Sequence, residues 1–363
     1  MVMREIQSGI IGCGGIANGK HLPAAKALGN VRFVAFCDIV RERAEKAARE
    51  YGVPGARVYE DYREMLEKEG PQMEAVHVCT PNRSHAPITV AALESGRHVL
   101  CEKPMAIDVA GAQAMVDAAA RTGRLLTIGY QNRNRPESLY LKKECEAGTL
   151  GHIYYAEALA IRRRAVPTWG VFLNAEEQGG GPLIDIGTHA LDLTLWLMDN
   201  YDPEMVVGST YRELADNENA ANAWGSWDPR EFTVEDSSFG FIKFKNGATV
   251  ILKSSWALNI LDTAEAKCVL CGNKAGADMK DGLRINGEKF GKMYTFTPDL
   301  SAGGADFYAG KSANPSQIES HVFYSAIING TPLRVLPEQA LKVTQILAAI
   351  YESSQTGQPV YFE

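Results

Sequence analysis

A short apolar run over 6–11 ends in Gly12-Cys13-Gly14-Gly15-Ile16-Ala17, and no other stretch constrains the fold of this chain as strongly. The pattern is G-x-G-x-x-[GA], set between an apolar strand and an alanine-rich helical stretch that runs to about Leu28. Gly12 permits the tight turn, Gly14 lets a pyrophosphate approach the backbone, and Ala17 lets the helix pack close on the strand. The free N–H groups of Gly15 and Ile16 at the helix start then face the phosphate charge. A second apolar run, 31–37, ends in Asp38, where a carboxylate can accept hydrogen bonds from both hydroxyls of an adenosine ribose. That charge repels a 2′-phosphate, so NAD is favoured over NADP. Arg41 and Arg43 follow it. An arginine there can hold a 2′-phosphate, but a solvated helix face accounts for both residues, and Arg43 stays among the cofactor candidates.

Strand and helix signals keep alternating after this unit. Helices are expected over 41–51, 61–69, 84–95 and 108–122, with strands at 74–79, 98–101 and 125–128. Short β-α connections of this kind predict a doubly wound parallel sheet. The texture changes after Gly129. A helix at 137–147 leads to strand-like stretches at 152–161, 232–245, 248–256 and 264–270, interrupted by a helix at 182–198. Asn246-Gly247 between two of them is a hairpin signal. The chain is therefore expected to be α/β, with a Rossmann domain over 1–128 and a second domain over 129–363 carrying an open, mostly antiparallel sheet. A last helix is expected over 338–353, and loops over 215–229 and 302–305.

Composition narrows the function classes. A net charge of -7 makes nucleic acid and anionic membrane poor partners. Neither a signal peptide nor an apolar run long enough to span a bilayer is found, and seven scattered cysteines fit reduced thiols, so a cytoplasmic protein is expected. Only Cys268 and Cys271 have C-x-x-C spacing. They fall in a strand that would point them to opposite faces, and no metal site is expected.

Three further motifs carry chemistry. Thr80-Pro81-Asn82 and His85 follow a strand at the carboxyl edge where α/β sheets bind ligands, and Glu102-Lys103-Pro104 follows the next strand at the same edge. Asp185 and His189 stand four apart on the expected helix, after three glycines, so they share a face. An imidazole oriented by a carboxylate relays protons near neutral pH, and a lysine ammonium can stabilise a developing alkoxide. Asp192 lies on that face too, bracing His189 or satisfied structurally. With the glycine turn, these motifs resemble the glucose–fructose oxidoreductase / inositol dehydrogenase family (Gfo/Idh/MocA) along nearly the whole chain.

The resemblance implies a Rossmann domain, then an α/β domain, substrate lying against the nicotinamide, and pairing of chains through the exposed sheet face as dimers or tetramers. It marks Lys103, Asp185 and His189 as catalytic, and Thr80, Pro81, Asn82, His85, Glu102, Lys103 and Gln131 beside the cofactor. Tyr130, Arg163 and Trp169 join the catalytic three as substrate contacts. In relatives the Lys–Pro bond is often cis. The expected activity is hydride transfer between NAD and a secondary alcohol of a sugar, sugar derivative or cyclitol. Redox-neutral, NAD-dependent glycoside cleavage through a transient keto-sugar is an alternative, and a dinucleotide-binding sensor or scaffold is a non-enzymatic one.

Overall fold

The computed structural model describes residues 4–300 and 314–363, and the loop expected over 302–305 lies outside them. The chain divides into two compact units, one made of 4–131 with 314–341 and the other of 132–300 with 342–363. The sequence division at 128/129 left the second part contiguous, whereas 314–341 clusters with the first unit.

The first unit is built on a parallel sheet of six strands: β1 (Ile6–Ile11), β2 (Val31–Cys37), β3 (Gly52–Tyr59), β4 (Met73–Val78), β5 (His98–Cys101) and β6 (Leu126–Ile128). Their order is β3-β2-β1-β4-β5-β6, so the direction of winding reverses between β1 and β4. The carboxyl ends of β1 and β4 diverge there, which is where such sheets bind ligands. Strand β3 was not expected from the sequence. It is an edge strand whose Val53-Pro54-Gly55-Ala56 stretch is only partly buried, so it shows neither alternation nor an apolar run.

Helix Pro315–Asn329 was also not foreseen. Its Phe323 and Tyr324 are buried in the core of the first unit, with the His77 ring 6.0 Å and 5.8 Å from theirs. A line of buried polar groups fixes it there. Ser8 Oγ lies 2.8 Å from Tyr324 Oη, which lies 2.7 Å from His77 Nε2. His77 Nδ1 lies 3.0 Å from His21 Nδ1, and His21 Nε2 lies 2.7 Å from Glu102 Oε1. Lys20 Nζ donates to the same Glu102 oxygen at 2.7 Å and pairs with Glu319 at 3.2 Å.

The second unit carries a nine-stranded sheet: β7 (Ile153–Ile161), β8 (Pro203–Tyr211), β9 (Ser237–Phe244), β10 (Thr249–Ser255), β11 (Ala264–Gly272), β12 (Ala275–Asp278), β13 (Arg284–Lys289), β14 (Lys292–Phe296) and β15 (Val360–Tyr361). The order is β14-β13-β12-β11-β7-β10-β9-β8-β15, antiparallel except between β7 and β10. The expected hairpin at Asn246-Gly247 joins β9 to β10, with Gly247 at φ 88°. Cys268 lies buried on β11, its Sγ 3.4 Å from Met279 Sδ.

Two helices cover one face of this sheet. Helix Thr188–Met198 lies on β7 and β11, and Ile350 of helix Pro337–Thr356 fits against Gly208 and Gly240, whose missing side chains make room for it. The opposite face carries the register row Val207, Phe241, Ile251, Glu157 and Val269, and Val207 and Phe241 remain exposed.

Burial alone would raise the Glu102 carboxyl, but Lys20 and His21 outweigh it and hold it well below the ordinary carboxylate range. A carboxyl lowered on folding contributes stability that is complete above its unfolded value and lost as pH falls through the folded one. Lys20→Met removes the main partner of a buried charge and is expected to cost about 3–5 kcal/mol at pH 7. The deficit should narrow below a pH of about 4, where the unfolded chain takes up its proton. Urea unfolding of both proteins from pH 7 to pH 3 checks this. A deficit that is absent at pH 7, or constant with pH, contradicts it.

Candidate active site

The glycine turn is placed at the switch point. Gly12 has φ 90°, and a Cβ on it would stand 2.5 Å from the carbonyl oxygen of Cys79, so only glycine lets β1 and β4 close up at their carboxyl ends. Gly14 and Gly15 open onto space that a Cβ would not fill. No side chain caps the helical run that begins here. Its first N–H groups therefore suit an anion. The run widens to a π-type turn at Ala17–His21, which turns Lys20 and His21 inward toward Glu102.

Asp38 is buried at the end of β2. Its Oδ2 accepts from the Cys13 N–H at 2.8 Å and its Oδ1 from the Val40 N–H at 2.9 Å. The carboxylate is thereby oriented, and each oxygen keeps a lone pair for a ribose hydroxyl. Ile39 and Val40 beside it are exposed and apolar, a surface on which an adenine face can rest. Arg43 is exposed on helix Arg41–Tyr51, and Arg41 pairs with Glu45 and Glu60.

At the ends of β4 and β5 the two motif loops are tied together. His85 is buried, with Nδ1 2.7 Å from the Pro104 carbonyl and Nε2 2.9 Å from the Thr80 carbonyl. It acts here as a brace between the loops, a role the sequence did not announce. Asn82 is buried, and Thr80 Oγ1 is a buried hydroxyl with no hydrogen-bond partner among the described residues. A buried orphan hydroxyl, together with an open glycine turn and a carboxylate oriented by two backbone N–H groups, fits a bound dinucleotide. Thr80, Asn82, Asp38 and the N–H groups after Gly14 would hold it.

Glu102, expected against the cofactor, is buried, and its side chain engages Lys20 and His21. Its second oxygen accepts the Lys103 N–H at 3.0 Å. It therefore fixes the backbone at Lys103, and the Lys103–Pro104 bond is cis. Gln131 Oε1 accepts from Lys20 at 2.8 Å, and Tyr130 is fully buried. Lys20 and His21 were missed in the sequence. The signal was there: a charged and an ionisable residue side by side in an alanine-rich helix.

In the second unit, Asp185 and His189 stand on one continuous helical run whose first turn, Leu183–Gly187, is again of the π type. Such turns are rare and concentrate at functional sites. Asp185 Oδ2 accepts from Trp256 Nε1 at 3.0 Å, and His189 is largely buried. Asp192 forms a two-point ion pair with Arg133, Nε to Oδ2 at 2.9 Å and Nη2 to Oδ1 at 2.5 Å, both side chains buried.

Two of the three glycines before this run admit protein groups. A Cβ on Gly180 would stand 2.0 Å from Tyr351 Oη, and one on Gly181 2.2 Å from the Glu235 carbonyl. Glu235 caps the helical run, accepting from the Gly181 N–H at 2.8 Å and the Leu183 N–H at 3.1 Å, and Tyr351 Oη donates to it at 2.8 Å. Burial raises the Glu235 carboxyl, with the Gly181 N–H opposing. Neither Glu235 nor Tyr351 was foreseen.

Arg163 and Trp169 are exposed, and Arg162 makes a two-point pair with Glu265 at 2.6 Å and 2.6 Å. Among the described residues, no group of three or more His, Cys, Asp or Glu side chains is arranged to hold a metal, and no helix is long and apolar enough to cross a membrane.

Comparison with known proteins agrees with this geometry. Residues 6–130 match the oxidoreductase family model with an NAD-binding Rossmann fold, and residues 142–362 match the C-terminal alpha/beta domain of the same family. A D-glucoside 3-dehydrogenase of Escherichia coli K12 is 34% identical over 358 residues, 98% of this chain and 97% of that protein. An inositol 2-dehydrogenase of Saccharopolyspora erythraea is 30% identical over 239 residues, 66% of this chain and 65% of its own length. Among solved structures, an aldose-aldose oxidoreductase of Caulobacter crescentus complexed with glycerol superposes with a TM-score of 0.78 at 25% identity, over 99% of this chain and 100% of that one. The open glycine turn, the oriented Asp38 and both family matches lead to one conclusion: the chain belongs to the Gfo/Idh/MocA family of NAD-binding oxidoreductases.

Proposed function

We propose that this protein transfers a hydride reversibly between NAD and a ring carbinol of a sugar, sugar derivative or cyclitol. The observation that carries the reading is the helical run holding Asp185 and His189 one turn apart, with Asp185 fixed by the Trp256 indole N–H. A carboxylate so held orients an imidazole and stabilises its charged form. In the oxidising direction, a CH–OH group and NAD⁺ become C=O, NADH and one proton. Held by Asp38, Thr80, Asn82 and the N–H groups after Gly14, the dinucleotide would supply the hydride acceptor. His189 takes the hydroxyl proton, Asp185 orients the ring, and the Lys103 ammonium stabilises the alkoxide. The roles of Lys103 and His189 can be exchanged, since each can act as acid or base. Glu102 positions Lys103 through its backbone N–H. Arg163 and Trp169, both exposed, are assigned to substrate, and Tyr130, fully buried, to packing.

We further propose that two copies pair through the sheet face carrying Val207 and Phe241. Half-exposed apolar residues in a register row support this. Phe241→Glu is expected to lower the sedimenting mass to that of one chain, and an unchanged mass contradicts the pairing.

The activity is tested with purified protein and NAD across sugars, inositols, sugar acids and glycosides, reading NADH fluorescence. With the best substrate, Lys103→Ala and His189→Ala are each expected to lower kcat by about a hundredfold or more, with NADH affinity kept. Full activity in both variants contradicts the assignment.

A further inference from the structure

A row of aromatic rings leads away from Asp185 within the second unit. Trp256, fully buried, donates its indole N–H to Asp185, and its ring lies 6.4 Å from Phe172. Phe172 meets Trp169 at 5.8 Å, and Trp169 meets Trp224 edge to face at 4.9 Å. Exposure rises along the row: Trp256 is 0% exposed, whereas Trp169 is 52% and Trp224 45%. Two indoles half in water, in contact with each other, leave a large apolar surface exposed among the described residues.

The loops that carry the pair are bonded to one another. Asn222 clamps the two loops that carry the indoles, with its Oδ1 accepting from the Val166 N–H at 2.8 Å. Its Nδ2 donates to the carbonyls of Val166 and Gly225 at 2.9 Å and 2.8 Å. Thr168 Oγ1 donates to the Trp224 carbonyl at 2.7 Å. On one side of Trp224, the Arg162 guanidinium lies 5.3 Å from the ring, fixed by its two bonds to Glu265. Near the same loop, Arg164 bonds Asn259 at 2.5 Å. These bonds join the two loops without a ligand, and less of the contact energy then goes into bringing them together on binding.

We propose that Trp169 and Trp224 form a subsite for a second pyranose ring, so that the preferred substrates are glycosides with two sugar rings. The proposal rests on the dehydrogenase reading above and deepens it. A pyranose has an apolar C–H face that stacks on an indole and a rim of hydroxyls that seeks donors. The exposed indoles supply the first, and Arg162, Arg164 and Asn259 supply the second. The reacting ring lies at the Asp185 end of the row and the second ring at the Trp224 end.

The test compares kcat/KM for a disaccharide with that for the methyl glycoside of its reacting sugar, in wild type, Trp224→Leu and Trp224→Phe. The ratio is expected to fall about tenfold in Trp224→Leu and to recover most of that loss in Trp224→Phe, which keeps an aromatic face. A ratio equal to wild type in Trp224→Leu overturns the subsite while leaving the dehydrogenase reading standing, and so does an equal fall in both variants. No NADH from any sugar with wild-type protein overturns both.

Discussion

The first unit depends on a buried carboxylate that has to be paired. Glu102 sits at the end of β5, away from water, and an isolated charge there would cost several kcal/mol. Lys20 and His21 satisfy one oxygen and the Lys103 backbone the other. One side chain thus ties the helix after the glycine turn to the loop that carries Lys103. Through His21, His77 and Tyr324, the same line of bonds reaches helix Pro315–Asn329 and draws a segment from near the far end of the chain into the nucleotide-binding unit. Apolar packing of Phe323 alone would allow that helix several registers. Directional hydrogen bonds select one.

The second unit solves a parallel problem with different residues. A helix that begins in the protein interior exposes N–H groups to no water, and Glu235 accepts two of them. Tyr351 and the Glu235 backbone occupy the volume that side chains at Gly180 and Gly181 would need. Asp185 is then held on its own side by Trp256. Each π-type turn sits beside ionisable groups with assigned roles: Lys20 and His21 at one, Asp185 at the other.

Much of this was legible in the sequence because local spacing encodes it. The glycine turn, Asp38 closing β2, the helix over 41–51 and the Asn246-Gly247 hairpin all follow from residues a few positions apart. What escaped involves partners far along the chain or edges with little apolar content. Strand β3 is partly exposed and carries Pro54. Helix Pro315–Asn329 finds its place through Ser8 and His77, whose identity no local pattern announces. Glu102 looked like a cofactor ligand because its position at the strand end suits one, yet its side chain engages Lys20 and His21. Asp192 shares a helix face with His189, yet its two-point partner is Arg133. In both cases a buried charge is matched to a distant cation that sequence spacing does not reveal.

In the proposed reaction, the hydrogen that NADH gains is one carried by a ring carbon of the substrate and not one from water. Mass analysis of the NADH formed from NAD⁺ and a glycoside deuterated at its ring carbons tests it most directly. Direct transfer gives NADH one mass unit heavier than the product of the unlabelled sugar. NADH of ordinary mass would mean that the hydrogen came from water or another donor, and would contradict the roles given to Lys103 and His189.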